Sequence, residues 1–587
     1  MRIKHFFGLA VIAAMTASCS SNNDLVNGGG NGSGENESGA SYASFSINLP
    51  TTSGTRADDT PSGSPSFENG DKNEYKVNDA TLLIFKKGEE ATKEGDYTFV
   101  ESAELGSMAP WKDKNETGVT THAKITAKLG NVNKTDNLFA LVLLNNGTGT
   151  NAKVNLPEDG EKFSTWNAKA TEKFAKPENG FYMANAPLFK DNNVTTLVPI
   201  ESTKIYPTEE EAAKNAATDV YVERGLAKVT LGTGTTTVKT VADGSTYQGD
   251  QVTISKWALD VTNKKAYPIH YVDGLTDKFP KIWSNDAATA SPTNNATTQR
   301  FVDNTATLAK RVYWGIDPNY NNKTLCKEDA DGTTARKAEF NYVTNTADVK
   351  EDPDKPLYCL ENTFDLDNMK QGQTTRIIFK ATYKPKGLPE GETTFYKIGK
   401  NTAIWSKGDL ETEIKAAVAS VVSGATTENT KVKLDVSENN ITAAGTHYIE
   451  AANIKVTDAT GTTVATITPE NITAINTQLG LNKDKKIGIS TYADGESYYV
   501  ARIKHFGDAL TKWESGQPYN DDNLSFLGRY GMLRNNWYEL TVESVSGPGY
   551  PSVPEVKPNT PDDEDDMYIK VSVKILKWAK RSQTVYL

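Results

Sequence analysis

The sequence predicts a mainly β protein with two β-sandwich domains and a few short helices. The chain has 587 residues, which is too long for one hydrophobic core and is typical of two domains of roughly 200 to 300 residues each. Thr, Tyr and Val are frequent, and Asn-Gly and Asp-Gly pairs recur, as in strands joined by tight turns. Long apolar stretches with helical spacing are scarce.

Several segments have the pattern of β-strands. Residues 41–49 alternate between an apolar row and a polar row, which is typical of a half-buried strand. Residues 138–144 are apolar on both faces, as expected of a central strand. The other predicted strands are residues 80–85, 122–129, 220–231, 374–383, 498–505 and 537–545. Both halves of the chain can thus supply the two sheets of a sandwich.

Two short helices are predicted in the second half. Residues 409–422 place apolar side chains at helical spacing, with Asp409 as the cap. A second helix is expected from Thr468 and Pro469 to Leu479, because proline is favoured in the first turn of a helix. These helices interrupt the β pattern and indicate a local elaboration.

The first 19 residues have the features of a secretory leader. Arg2 and Lys4 precede an apolar run from Phe6 to Met15, and small residues stand directly before Cys19. The run is too short to span a bilayer stably, and small residues before a cysteine are typical of a bacterial lipoprotein signal. We therefore expect lipidation at Cys19, the alternative being an ordinary signal peptide with an incidental cysteine. Residues 20–40 are rich in Gly, Asn and Ser and are expected to act as a flexible tether.

A polar loop follows the first predicted strand. The apolar row of that strand consists of Ala43, Phe45, Ile47 and Leu49. Between Pro50 and Gly70 the only basic residue is Arg56, which precedes Ala57. An isolated arginine in an exposed loop suits a trypsin-like protease. Taken alone, Arg56 is better explained as an ordinary surface arginine.

The C-terminus mirrors this arrangement. Residues 547–566 form a Pro-rich and then acidic linker, whose run of acidic residues lacks the spacing of a calcium loop. The strand pattern after it has an apolar row, and Trp578 lies further on. The members of that row are Met567, Ile569, Val571, Val573 and Ile575. A linker of about twenty residues reaches well over 30 Å when extended, so this strand is free to pair either with its own sheet or with another subunit.

Charge and cysteine content exclude several classes of protein. The formal charge is −11, and it stays the same without residues 1–56, which hold three basic and three acidic residues. No basic stripe interleaved with aromatics is present, so nucleic acid is a poor partner. Outside the leader only Cys326 and Cys359 remain. One disulfide and two separate thiols are equally compatible with an exported protein.

The sequence shows no pattern typical of catalysis or of a metal or cofactor site. After the leader the four histidines are His122, His270, His447 and His505, and none has metal-ligand spacing to another or to a cysteine. There is no nucleophile elbow and no phosphate-binding glycine loop. We expect the histidines to be surface or packing residues, and the protein to be a non-enzyme without cofactors.

Seven segments carry a family resemblance through their order and spacing over nearly the whole chain. They are the leader with Cys19, Ser41–Pro50 followed by Thr55-Arg56-Ala57, Val222–Val229, Trp257 with Thr262–Tyr267, Tyr358–Thr363, Arg534–Tyr538, and the end from Tyr568 through Trp578 to Leu587. In these segments the chain resembles the fimbrillins of Bacteroidales, specifically the major-subunit family of Mfa-type fimbriae. FimA-type fimbrillins are similar at a greater distance.

The resemblance implies transthyretin-like sandwiches, export as a lipoprotein and polymerisation by strand exchange. It places proteolytic processing at Arg56–Ala57, by an Arg-specific protease that removes the first strand, and the donor strand within Met567–Leu587. The implied partners are identical subunits, accessory anchor and tip fimbrial proteins, and the outer membrane through the precursor's lipid. The corresponding segments are a leader (1–19), tether (20–40), propeptide (41–56), N-terminal sandwich (57–255), C-terminal sandwich (256–546), linker (547–566) and donor strand (567–587).

These features favour the structural stalk subunit of a surface fimbrium, a type V pilus that supports adhesion and biofilm formation. An anchor subunit is expected to keep its first strand and a tip subunit to lack a donor tail, whereas this chain has both a removable strand and a tail. The alternative from another class is a monomeric surface lipoprotein that binds glycans, for which the nine tryptophans would supply stacking platforms.

Overall fold

A computed structural model describes residues 41–48, 74, 76–105, 122–175, 180–190, 193–275, 310–505, 527–562 and 569–577. The predicted mainly β, sandwich-rich fold with a few short helices is confirmed in these residues. The α-helices described are Phe163–Asn167, Glu209–Lys214, Ala330–Glu339, Lys407–Val421 and Pro469–Gln478.

The strands divide at Gly225. Those before it are β1 (Ser41–Asn48), β2 (Ala80–Lys86), β3 (Thr98–Glu104), β4 (His122–Leu129), β5 (Leu138–Leu144), β6 (Met183–Asn185), β7 (Leu188–Lys190), β8 (Asn193–Thr195), β9 (Val198–Ile200), β10 (Ile205–Tyr206) and β11 (Thr218–Arg224). Those after it are β12 (Leu226–Leu231), β13 (Lys239–Thr240), β14 (Gln251–Asp260), β15 (Thr262–Asn263), β16 (Lys310–Arg311), β17 (Phe340–Asn341), β18 (Leu357–Leu360), β19 (Arg376–Lys384), β20 (Phe395–Ile398), β21 (Thr430–Val432), β22 (Gly445–His447), β23 (Ile454–Thr457), β24 (Thr463–Ala465), β25 (Ile489–Tyr492), β26 (Glu496–Arg502), β27 (Asn536–Val545) and β28 (Ile569–Lys577).

The first unit is built on a nine-stranded sheet. Its order is β10-β1-β11-β6-β5-β2-β3, with β4 also on β1 and β9 also on β5. The core against this sheet is aromatic: Phe85 makes edge contacts with Phe99 and Phe163, and Trp166 is fully buried beside them. The apolar residues of β1 belong to the same core.

The second unit is a sandwich of two four-stranded sheets. One has the order β18-β12-β27-β28 and the other β13-β14-β19-β26. Side chains from both sheets share one core, including Val229 of β12, Trp257 of β14, Phe379 of β19 and Leu540 of β27. The alternating patterns of these strands therefore bury their apolar rows between the sheets.

Residues 220–231, predicted as one strand, form parts of two strands in different sheets. The chain leaves the first sheet at Arg224 and enters the second at Leu226. A side chain on Gly225 would lie 3.1 to 3.2 Å from the rings of Phe174 and Tyr182, so it would crowd both rings at the crossing. The predicted domain boundary at residues 255–256 lies inside β14, and the change of sheet occurs at Gly225.

A third packed unit interrupts the second sandwich. β19 and β26 pair directly, with Thr382 opposite Glu496, so the intervening chain leaves and re-enters between neighbouring strands. This insertion contains the sheets β20-β25-β22 and β21-β23-β24 and two helices. Its own core includes Leu410, Ile414, Val418 and Ile475.

Both predicted helices lie in this insertion. Pro469–Gln478 begins as predicted after Thr468, whose hydroxyl accepts from the Asn471 amide. Lys407–Val421 begins two residues earlier than predicted, because Ser406 rather than Asp409 is its cap. The Ser406 hydroxyl accepts from the Asp409 amide at 3.1 Å and donates to the Asp409 carboxylate at 2.6 Å, so the two residues together satisfy the first turn.

Candidate functional site

The first strand lies inside its sheet. All eight residues of β1 pair with β4 in antiparallel orientation. On the other side, Tyr42 and Ala43 pair with β10, and Phe45–Asn48 pair with β11 in parallel. Within the described ranges β1 is the only strand that forms a ladder with β4. Loss of β1 would therefore leave unpaired backbone groups on both sides of a groove.

The apolar row of β1 completes the core of the first unit. Ala43, Phe45 and Ile47 are each 0% exposed, and they share one face because alternate residues of a strand do. Leu49, the fourth predicted member, lies outside the described residues. Burying a Phe and an Ile side chain contributes roughly 1.5 to 3 kcal/mol each, so the groove is also an apolar site.

A short helix covers the opposite face of β1. The Ser44 hydroxyl donates to the Ala212 carbonyl at 2.7 Å and lies 2.8 Å from the hydroxyl of Thr126 on β4. Ala212 belongs to Glu209–Lys214, which begins after the cap Thr208. Lys124 of β4 donates to the carbonyls of Ala213 and Asn215 at 2.8 and 2.6 Å. The sequence analysis missed this cover because nothing in the pattern of residues 41–49 indicates a helix over their polar row.

The predicted processing and lipidation sites cannot be placed on this geometry. Cys19, Arg56 and Ala57 all lie outside the described residues. They remain predictions from the sequence.

The predicted donor strand pairs within its own chain. β28 lies at the edge of the second unit and pairs antiparallel with β27. Val571, Val573 and Ile575 stand opposite Val542, Leu540 and Tyr538, and opposite residues of an antiparallel pair share a face. The partners on β27 are fully buried core residues, so the backbone register aligns these three positions of β28 with the buried row of β27. Met567 and Trp578 lie outside the described residues.

The preceding linker is held against the same sandwich. Tyr550 forms a two-bond bridge with Tyr498, the Pro554 carbonyl accepts from Arg376 at 2.7 Å, and Asp562 is 1% exposed and accepts from Thr374 at 3.2 Å. Residues 550–562 are thus part of the second unit rather than a free spacer.

A buried cluster of charged residues joins the two units. His270 Nδ1 lies 2.8 Å from Glu223 Oε1, and His270 Nε2 lies 3.6 Å from Glu361 Oε1. Arg534 Nε donates to Glu361 Oε2 at 3.1 Å, and a second nitrogen of the guanidinium lies 3.1 Å from the same oxygen. His270 is therefore a buried, paired residue. Glu223, Glu361 and Arg534 come from three of the segments that carry the family resemblance, so those segments meet in space.

A second ion pair lies beside this cluster. Lys228 of β12 is 2.6 Å from Glu74, with both side chains almost fully buried, and Tyr358 donates to Glu74 at 2.6 Å. The Lys228 ammonium also lies 3.9 Å from the ring centre of Trp537. Because a buried charge is stabilised only by such partners, these contacts fix the two sheets at Gly225 relative to each other.

Asp317 extends the cluster. Its carboxylate accepts from the amides of Thr363 and Asn319, both at 2.6 Å, and from the side chain of Asn263 at 2.9 Å. Burial raises the pKa of Asp317 to about 7, the three hydrogen bonds oppose the rise, and the nearby Glu361 charge adds to it. No local sequence pattern predicts this cluster, because its members are far apart along the chain.

Both cysteines are free thiols in the structure, which favours the second of the two alternatives left open by the sequence. Burial raises the pKa of Cys326 to about 11 and that of Cys359 to about 12. These thiols are therefore protonated at neutral pH, and a protonated thiol is a poor nucleophile.

The described part of the chain contains neither a metal-binding group of side chains nor an exposed tryptophan. No group of three His, Cys, Asp or Glu side chains there is arranged to hold a metal ion. Trp166, Trp257 and Trp314 are fully buried, and the large exposed apolar residues of the described ranges include no tryptophan. None of the described helices has the length and apolar character needed to cross a bilayer.

Comparison with known proteins identifies the C-terminal region. Residues 490–584 match the family model described as major fimbrial subunit protein type IV, fimbrillin, C-terminal. The matched segment begins in β25 and includes β26, β27 and β28. A search of curated proteins gave no match to the chain.

Proposed function

We propose that this chain, whose residues 490–584 match the C-terminal fimbrillin model, is a fimbrillin and a stalk subunit that polymerises into surface fimbriae by donor-strand exchange. A fimbrial subunit role follows from the family itself. The stalk position and the Mfa-type subclass are the parts that we propose. The fimbrillin family is structural, and we assign no enzymatic activity to this chain.

The central position of β1 carries the proposal. An N-terminal strand that is followed by a protease-accessible arginine is normally expected at an edge, where its loss costs little. Here β1 pairs on both sides and fills the core with Phe45 and Ile47. Removing it leaves a groove with unpaired backbone groups and an apolar floor, both of which favour addition of another strand.

The C-terminal strand has the properties of a donor. Ile569, Val571, Val573 and Ile575 alternate with polar residues up to Lys574, so the strand can supply both ladder hydrogen bonds and side chains for the vacated pockets. Burying such a row offers on the order of 10 kcal/mol before ordering costs. Linked head to tail, these contacts do not close and so generate a filament.

The intrachain pairing of β28 adds a step to this mechanism. In the precursor β1 occupies its own groove and β28 is docked on β27. Donation requires β28 to leave β27, while the contacts of residues 550–562 with their own sandwich stay unchanged. The ladder given up on β27 is replaced by two ladders in the groove, one on each side, so the exchange gains hydrogen bonds.

The remaining parts of the proposal come from sequence alone. Lipid at Cys19 attaches the precursor to the outer membrane, and an Arg-specific protease cuts Arg56–Ala57 to free the groove. Identical subunits then form a cell-surface fimbrium with accessory anchor and tip proteins, which supports adhesion and biofilm formation.

The proposal is tested on filaments sheared from cells. Electron microscopy shows whether filaments are present, and mass spectrometry of their subunits gives the N-terminus, expected at Ala57. An Arg56→Ala variant should accumulate as unpolymerised precursor, whereas Lys72→Ala, a change at another basic residue of the same polar region, should leave assembly intact. Normal filaments built from uncut Arg56→Ala subunits would refute activation by cleavage.

A further inference from the structure

The polar row of β1 contains one residue that is not solvent-exposed. Of Tyr42, Ser44, Ser46 and Asn48, three are half-buried, whereas Ser44 is 1% exposed. A residue on the outward face of a strand is ordinarily exposed to solvent. Ser44 is buried because helix Glu209–Lys214 lies over it.

The space beneath the helix is a small polar site. Its acceptor is the Ala212 carbonyl, 2.7 Å from the Ser44 hydroxyl, and the Thr126 hydroxyl is 2.8 Å away on β4. Ala212 itself is 0% exposed. Lys124 bonds two further carbonyls at the end of the helix and so ties the helix to β4 rather than to β1. The cover therefore has attachments that do not depend on the first strand.

The site selects by size and chemistry. A short hydroxyl side chain fits and satisfies the buried carbonyl, which is costly to leave without a donor. A lysine there would place an ammonium under the helix, where a charge without a partner is expensive.

The outward row of β28 has one residue that meets this requirement. The positions between Ile569, Val571, Val573 and Ile575, with the one that follows them, are Lys570, Ser572, Lys574 and Leu576, of which only Ser572 has a hydroxyl. We propose that Ser572 of a second copy of this chain takes the place of Ser44 beneath helix Glu209–Lys214 and thereby sets the register of strand addition. The inference rests on the proposed function and goes beyond it, since strand exchange by itself leaves the register open.

The assignment holds for either direction of the incoming strand. With Ser572 at the position of Ser44, Val571 and Val573 fall at the positions of Ala43 and Phe45 in one order or the other. The lysines then fall at the positions of Tyr42 and Ser46, which are half-buried and from which a long side chain can extend to water. A slip of one residue would turn the apolar row outward. A slip of two residues would bring a lysine under the helix.

Disulfide trapping tests the register. Filaments are assembled from an equal mixture of a Thr126→Cys subunit and one of three donor variants, namely Lys570→Cys, Ser572→Cys or Lys574→Cys, and are then mildly oxidised. We expect Ser572→Cys to give covalent dimers at least ten times more abundant than the other two. As a positive control, the uncut precursor carrying both Ser44→Cys and Thr126→Cys should form an intrachain disulfide, since the two hydroxyls are 2.8 Å apart. Thr126→Cys filaments alone should give no dimer.

The outcomes separate the inference from the proposed function. Preferential trapping of Lys570→Cys or Lys574→Cys would show strand exchange in another register and overturn the role of Ser572. Filaments that form without trapping any of the three variants would overturn both, because the groove of β1 would then not be filled by this strand. Ser572→Lys should lower the filament yield at least tenfold and Lys574→Ser should not; equal yields would also refute the inference.

Discussion

Arg534 and Glu361, 173 positions apart along the chain, form a hydrogen-bonded ion pair in the buried junction between the two units. Arg534 also donates to the Tyr267 carbonyl, and Glu361 is 0% exposed. The pair lies beside the Gly225 crossing, so it connects the unit that contains β1 with the sandwich that contains β28. In the proposed filament, force would pass through this junction, because β1 and β28 lie in different units.

Removing the arginine should destabilise the protein strongly. Arg534→Ala leaves the Glu361 carboxylate buried without its cation, which typically costs about 3 to 5 kcal/mol. Urea unfolding of the precursor measures the change. The matched control is Lys486→Ala, which breaks an ion pair whose side chains are 82% and 87% exposed and should cost less than about 1 kcal/mol. Equal effects of the two variants would show that the buried pair does not hold the junction.

Asp317 should make stability depend on pH. Its pKa is raised from 3.8 to about 7 in the folded protein, so the folded state holds the proton more tightly than the unfolded chain. The contribution of Asp317 to the free energy of unfolding is fully present below about pH 3.8, and it is lost as the pH rises through about 7. Relative to an Asp317→Asn variant, the wild type should therefore lose on the order of a few kcal/mol between pH 4 and pH 8. Unfolding curves of both proteins across this range provide the test, and a difference that stays constant would contradict the assignment.

The local pattern predicted the strands well, but it did not predict what covers them. The alternation of Ala43, Phe45 and Ile47 fixed a half-buried strand, and all three are buried. The burial of Ser44 depends on a helix 168 positions away, which no local sequence pattern encodes. The same reason explains the missed cluster of Glu223, His270 and Glu361, whose contacts are long-range. Residues 220–231 are predicted as one strand because both pieces have a strand pattern. The change of sheet at Gly225 is seen only in the packing of the chain against Phe174 and Tyr182.

The insertion between β19 and β26 should be dispensable for the fold of the sandwich. Ile398 of β20 stands opposite Ile489 of β25, so replacing residues 399–488 with Asn-Gly joins the two strands by a tight hairpin. Phe395 and Tyr492, which stack at 4.4 Å in the sandwich core, are retained. The substitutions Ile398→Thr and Ile489→Thr prevent the new hairpin from exposing apolar side chains.

The shortened protein should still unfold in one cooperative transition and should lose helical circular dichroism signal. It should also assemble, because the groove of β1 and the strand β28 lie outside the deleted segment. The comparison protein is the full-length double variant Ile398→Thr, Ile489→Thr. Failure of the shortened protein to fold while the double variant folds would show that the insertion stabilises the sandwich itself.

Separating donation from acceptance tests the mechanism most directly. A subunit lacking residues 567–587 keeps the groove of β1 but has no donor, so after cleavage it should accept one strand and add nothing further. Arg56→Ala keeps its own β1 and should donate without accepting.

Neither variant should polymerise alone. A mixture of the cleaved deletion variant and Arg56→Ala should give a heterodimer and no longer species, as measured by size-exclusion chromatography with light scattering. The deletion removes an edge strand from a four-stranded sheet, so the uncut deletion variant should remain folded with a lower melting temperature, because the backbone ladder between β27 and β28 is lost. A finer control is the Arg56→Ala protein that also carries Val571→Asp. This double variant should not form the heterodimer, because the charge would fall in the apolar row of the donor strand, both in the groove of β1 and on β27. Persistence of the heterodimer with Val571→Asp, or its absence when both parent variants are folded, would refute donation by this strand.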